Sequence, residues 1–152
     1  MTMSKLYNLV YSFRKAIEAA VIDGGFERKN RMSGFPIGCC DDACDLLGMY
    51  LHQKEIDTIK VIGTYRDLIP DHLQNYAWLL MGGEVIIDIT GDQFSNRKEL
   101  LFYSIPVYVG KEDEFHKMFK DRIRLEIFDF ERPETFGQKL FMTMYKSILE
   151  YL

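Results

Sequence analysis

Cysteine is scarce in this chain, with three in 152 residues and two of them adjacent. A disulfide framework needs an even count at wider spacing, so free thiols are expected instead. No apolar run approaches the roughly eighteen residues of a membrane helix, and the N-terminus lacks the basic, apolar and small-residue order of a secretory signal. The expectation is a cytoplasmic protein with no membrane partner. Excess positive charge is missing too: the net charge is −4. Nucleic acid, whose backbone is met by clustered Lys and Arg, is not an expected partner. No repeat, low-complexity stretch or linker divides the chain, and 1–152 reads as a single domain.

What is present is material for a core. Apolar types make up 47% of the chain and aromatics 14%, while 28% charge keeps the exterior polar. That balance describes a folded rather than a disordered chain. From Ser4 to about Asp23, Leu6, Leu9, Val10, Phe13, Ala16, Ile17, Ala20 and Val21 recur at helical spacing, and Gly24-Gly25 stops the helix. Phe35-Pro36-Ile37-Gly38 must be an extended turn, after which a second helix carries the stripe Cys40, Ala43, Cys44, Leu47, Tyr50 and Leu51. Residues 58–65 alternate as a strand. Residues 75–81 and 84–90 are apolar at nearly every position and flank Gly82-Gly83, as central strands covered on both faces would. A fourth strand is expected over 105–109 and a short helix over 112–120. Residues 123–130 read equally as strand or loop. Pro133 opens a final helix, with Phe136, Leu140, Met144 and Ile148 on its buried face. The fold class is therefore α+β, with a cysteine-bearing helix packed on a small antiparallel sheet between N- and C-terminal helices.

Three segments carry chemistry: Phe35-Pro36-Ile37-Gly38-Cys39-Cys40, Tyr76-Ala77-Trp78, and Asp88-Ile89-Thr90-Gly91-Asp92-Gln93-Phe94. Together they resemble the active-site core of small bacterial papain-like and transglutaminase-like cysteine enzymes. That family's pattern is Phe-Pro-x-Gly-x-Cys leading into a helix, His-x-Trp on a strand, and Asp-x-Thr-x-x-Gln-Phe ending the next. The resemblance covers about the middle third of the chain. It implies a papain-like core, a nucleophile position at Cys40, and an orienting carboxylate at Asp88. Tyr76 stands where the family has its catalytic histidine.

The physical logic can be followed without the family. A thiol at a helix N-terminus has its pKa lowered, and the thiolate is the reactive species. An imidazole would complete the deprotonation, and a carboxylate would hold that imidazole in the right tautomer. A phenol, with an ordinary pKa near 10 against about 8.5 for cysteine, cannot act as the resting base. His72 lies about 13 Å along the strand from Tyr76. His52 lies about 18 Å along the helix from Cys40. His116 is the remaining candidate for the missing base.

Each of these residues also has a plain structural reading. Cys39 and Cys44 read as small core residues, and Trp78 as core. Asp41, Asp42 and Asp45 read as a solvated face that also opposes thiolate formation at Cys40. Asp88 needs a buried hydrogen-bond partner, which the Tyr76 hydroxyl can supply. A zinc site built from Cys39, Cys40, Cys44 and His52 is set aside because adjacent cysteines on one helix do not converge, and no metal or cofactor is expected.

Hairpin parity decides whether Tyr76 and Asp88 meet. A two-residue Gly82-Gly83 turn would put them on opposite faces. A three-residue Met81-Gly82-Gly83 loop would pair Leu80 with Glu84, Trp78 with Ile86 and Tyr76 with Asp88, on the face that meets the second helix. The second arrangement is expected. Two functions follow from it. The preferred one is a catalytically degenerate relative of cysteine hydrolases, a pseudoenzyme that binds a peptide or protein partner through the ancestral cleft. The alternative is an active thiol-dependent amidase, peptidase, deamidase or acyl transferase that uses Cys40 with an unconventional base.

Overall fold

A computed structural model describes residues 1–68 and 72–152. Among them are three α-helices, α1 (Met3–Ile22), α2 (Cys40–His52) and α3 (Phe136–Leu149), and five strands, β1 (Ile59–Arg66), β2 (Leu73–Met81), β3 (Val85–Asp88), β4 (Tyr108–Gly110) and β5 (Lys120–Leu125). The strands form one antiparallel sheet in the order β4-β3-β2-β1-β5, an α+β architecture. No helix of the described residues is long and apolar enough to cross a membrane.

The two faces of the sheet are covered differently. Ala77, Leu79 and Ile87 face the helices, where they pack with Phe13 and Ile17 of α1, Ala43, Leu46 and Leu47 of α2, and Met144 and Ile148 of α3. On the other face Val61, Tyr76, Trp78 and Ile86 meet Phe94, Leu100, Tyr103, Phe115 and Phe119, an aromatic layer supplied by the loops around β4. Strands buried on both sides show no alternation, which is why β2 and β3 are apolar at nearly every position.

Several expectations are corrected here. The short helix expected over 112–120 is only a 3-10 turn at His116–Met118, and β5 follows it at once. The fourth strand starts later than expected, at Tyr108. Phe136 is 84% exposed because it sits in the first turn of α3, before the helix meets the core. The acidic run on α2 is not all solvated: Asp45 is buried, accepting from Lys60 Nζ at 3.1 and 3.0 Å and from the Phe128 backbone at 2.8 Å. The chain leaving β5 crosses the outer side of α2 at Gly48, where a Cβ would lie 2.6 Å from Ile127 Cγ2. That crossing encloses Asp45.

The β2–β3 hairpin has the even parity expected, in a different register. Gly82 (φ +61°) and Gly83 (φ +74°) form the turn, closed by the Glu84 N–H on the Met81 carbonyl at 3.2 Å. Glu84 is left unpaired, so Met81 pairs with Val85 and Leu80, not Trp78, with Ile86. Continuing that pairing sets Asp88 level with Trp78 and diagonal to Tyr76 on one face, still within reach of a long side chain. That face is the aromatic one, not the one that meets the body of α2 as expected. With both faces apolar, nothing in the strand pattern distinguished them.

Removing Lys60 would leave the Asp45 carboxylate buried without its counter-ion. Lys60→Met is expected to destabilise the protein by about 3 kcal/mol in urea unfolding, and adding Asp45→Asn to it to recover part of that loss.

Candidate active site

Cys40 is the first residue of α2. Gly38 turns the chain at φ +71°, and Cys39 occupies the N-cap with no side-chain cap bond. At this point β2 has no strand neighbour on one side among the described residues, because its pairing with β3 extends only to Leu79–Ile87 while β2 itself continues to Leu73. The N-terminus of α2 enters that gap, so half-buried Cys40 packs against both the helix-side core and the aromatic layer. The helix N-terminus nevertheless does not produce a thiolate. Burial pushes the Cys40 thiol up to about 11, and although the backbone of Ala77 favours the thiolate, the charges of Asp88 and Asp41 oppose it. Cys39 and Cys44 are buried.

On the aromatic face Tyr76 is fully buried and donates its hydroxyl to Asp88 Oδ1 at 2.5 Å. Its oxygen also lies 3.1 Å from Thr90 Oγ1, and the Thr90 backbone N–H donates to Asp88 Oδ1 at 3.0 Å. Burial, and then the charge of Asp88, hold the phenol well above its ordinary range. The other carboxylate oxygen meets His116, whose Nε2 is 2.8 Å from Asp88 Oδ2. His116 Nδ1 is 2.6 Å from Asp113 Oδ1, which also accepts the His116 backbone N–H at 2.8 Å. Burial pulls the imidazole down, but the hydrogen bonds to Asp113 and Asp88 outweigh it and carry His116 from 6.5 up to about 9. At neutral pH the ring is an imidazolium donating from both nitrogens. The edge-on Trp78 ring at 5.0 Å and the Tyr108 ring at 5.5 Å hold it in place.

The structure thus brings Tyr76, Asp88 and His116 into one buried network, with Cys40 packed beside it. The proton of Tyr76 goes to Asp88, and both ring nitrogens of His116 go to carboxylates, so among the described residues neither group is a free base for the thiol. His52, 2.8 Å from Asp57 on the surface, and exposed His72 take no part. Trp78 is core, with the Arg122 guanidinium 5.0 Å over its ring.

Two residues that build this site were not anticipated. Asp113 is the second clamp on His116, and no motif marks it. Arg14 is buried in α1 and donates to the Ile89 carbonyl at 2.7 Å and to both oxygens of Asp92 at 2.7 and 2.8 Å, while its guanidinium lies 4.8 Å from the Phe35 ring centre. It joins α1, the end of β3 and the loop before Cys40. A cation lying on the apolar stripe of α1, four residues after Val10, was the available signal.

No protein-family model matches this chain, and no curated protein matches it. Among solved structures it is similar to the catalytic domain of the Salmonella virulence factor SseI, at 16% identity over 70% of this chain and 69% of that one, with a TM-score of 0.44.

Iodoacetamide labelling of Cys40, followed by mass spectrometry across pH, is expected to show a midpoint near 11, set by burial. A midpoint below about 7 would mean that the thiolate is the resting form. The raised pKa of His116 also has a stability consequence. Its contribution is complete below 6.5 and is lost as pH rises through about 9. The melting-temperature gap between wild type and His116→Gln should therefore be constant at about pH 6 and close progressively toward about pH 10.

Proposed function

We propose that this protein is a catalytically degenerate relative of the papain-like and transglutaminase-like cysteine hydrolases, and that it binds a peptide or protein partner at the cleft around Cys40. The reading rests on one observation, that the group needed as a base is absent where it would act. The phenol of Tyr76 occupies the family's histidine position and is spent on Asp88, while His116 is held by two carboxylates. General acid–base catalysis contributes about a hundred- to ten-thousandfold, and nothing directed at the Cys40 thiol supplies it. The motif order of Cys40, Tyr76-Ala77-Trp78 and Asp88-Ile89-Thr90 supports descent from such a site. Exposed Ile37 and partly exposed Phe35, just before Cys40, offer a partner apolar contact at the surface beside it.

The alternative, an active thiol amidase, peptidase, deamidase or acyl transferase, has the 2.8 Å His116–Asp88 contact in its favour, since that is the imidazole–carboxylate half of a triad. To serve Cys40 the ring would have to release a carboxylate and lose its extra proton. Wild-type protein is expected to show no turnover of generic amide or ester substrates. Tyr76→His, which places an imidazole beside Asp88, should label faster at Cys40 with iodoacetamide at about pH 7. Robust wild-type turnover that disappears in Cys40→Ala would replace this reading with the alternative.

A further inference from the structure

β5 is an open edge of the sheet. Among the described residues it pairs with β1 on one side only, and all six of its residues are exposed, including Ile123 at 53% and Leu125 at 43%. The pairing with β1 is bulged at Asp121 (φ +51°), so the regular backbone that offers donors and acceptors to an added strand is that of Ile123–Leu125. Its side chains restrict what that strand can be. Arg124 lies opposite Val61 on the aromatic face, and Ile123 lies opposite Ile62 on the other. Beside Arg124 a cavity of about 400 Å³ opens over Val61, Trp78, Leu80 and Ile86, with Glu84, Glu112, Arg122 and Arg124 at its rim. The rim carboxylates are already matched, Glu112 by Arg122 and Glu84 by Lys111 at 3.7 Å. Arg124 has no carboxylate partner among the described residues, and neither does Lys120 at the start of the strand. The edge therefore presents two unpaired cations, Lys120 and Arg124, next to exposed apolar side chains, with exposed Glu126 just beyond its end.

A second copy of this chain centred within Arg122–Arg124 is disfavoured. Two β5 strands related by a two-fold axis pair antiparallel with faces preserved, so the axis must pass through a residue pairing with itself. Centred on Arg122 or Arg124, the axis sets that arginine against its own copy, and centred on Ile123 it sets Arg122 against Arg124 twice. Like charges directly opposite are destabilising.

We infer that the β5 edge binds an extended acidic segment of another protein by strand addition, with backbone hydrogen bonds along β5, a carboxylate on Arg124 at the mouth of the cavity, and apolar side chains against Ile123 and Leu125. This surface is separate from the Cys40 cleft and does not depend on the function proposed for it.

The test uses the full chain and a fluorescein-labelled, end-blocked hexapeptide of alternating glutamate and valine, with anisotropy to measure binding and amide hydrogen exchange to locate it. Binding is expected to be accompanied by slower exchange at residues 120–125. Arg124→Glu should weaken binding by about tenfold, as should lysine in place of the peptide's glutamates. A peptide N-methylated at alternate positions, which keeps the charge but cannot pair, should lose binding. Cys40→Ala should leave it unchanged, which separates this surface from the cleft. Equal binding of the N-methylated peptide, no binding of any peptide, or protection elsewhere than β5 would overturn the inference. So would a β5-mediated dimer in sedimentation, which would assign the edge to a second copy.

Discussion

A carboxylate buried in the middle of a sheet is the constraint around which the aromatic face of this protein is built. Asp88 is 2% exposed, and a charge there is tolerable only if every lone pair finds a donor. Tyr76 and the Thr90 amide serve one oxygen, and His116 serves the other. Supplying His116 requires the 3-10 turn before β5 to fold over the sheet, and keeping its ring charged requires Asp113 as a second acceptor. Phe115 and Phe119, which flank that turn, then complete the apolar layer over Tyr76 and Trp78. Neutralising one side chain thus fixes the course of the chain between β4 and β5.

The same network bears on the chemical state of the Cys40 thiol. The groups that would form a relay in an enzyme are all present, yet the protons of Tyr76 and His116 already have carboxylate acceptors. An imidazolium between two carboxylates is a good electrostatic clamp and, for the same reason, a poor base. Cys40 at the start of α2 receives the favourable helix N-terminus and the Ala77 backbone, but desolvation and the field of Asp88 outweigh both. Placement at a helix N-terminus and a lowered thiol pKa are separable, and here burial raises the pKa.

Ion pairing plays a parallel role on the helix side. Arg14 ties α1 to the Ile89 carbonyl and Asp92, and Lys60 joins β1 to Asp45 within α2. Each cation holds segments distant in sequence at the point where the site is assembled. Their worth lies in registering the elements, since buried pairs return little net stability over apolar packing.

Much of this was legible beforehand. Helical spacing located α1, α2 and α3, doubly apolar runs located β2 and β3, and the segments around Tyr76 and Asp88 held two side chains that hydrogen-bond. Parity required an even register for Tyr76 and Asp88 to share a face, and they do. These readings succeed because periodicity and turn chemistry are local properties, written in neighbouring residues. What only the tertiary structure decided were the non-local matters: that the turn keeps both glycines and leaves Glu84 unpaired, that Asp88 faces the aromatic layer and not α2, that Asp45 is enclosed, and that His116 reaches Asp88 from 28 positions further along the chain. Strands apolar on both sides carry no mark of which face meets which layer, and a charged residue's burial depends on a crossing segment far away in sequence. Those outcomes belong to packing, where desolvation and partner geometry are set by the whole chain at once.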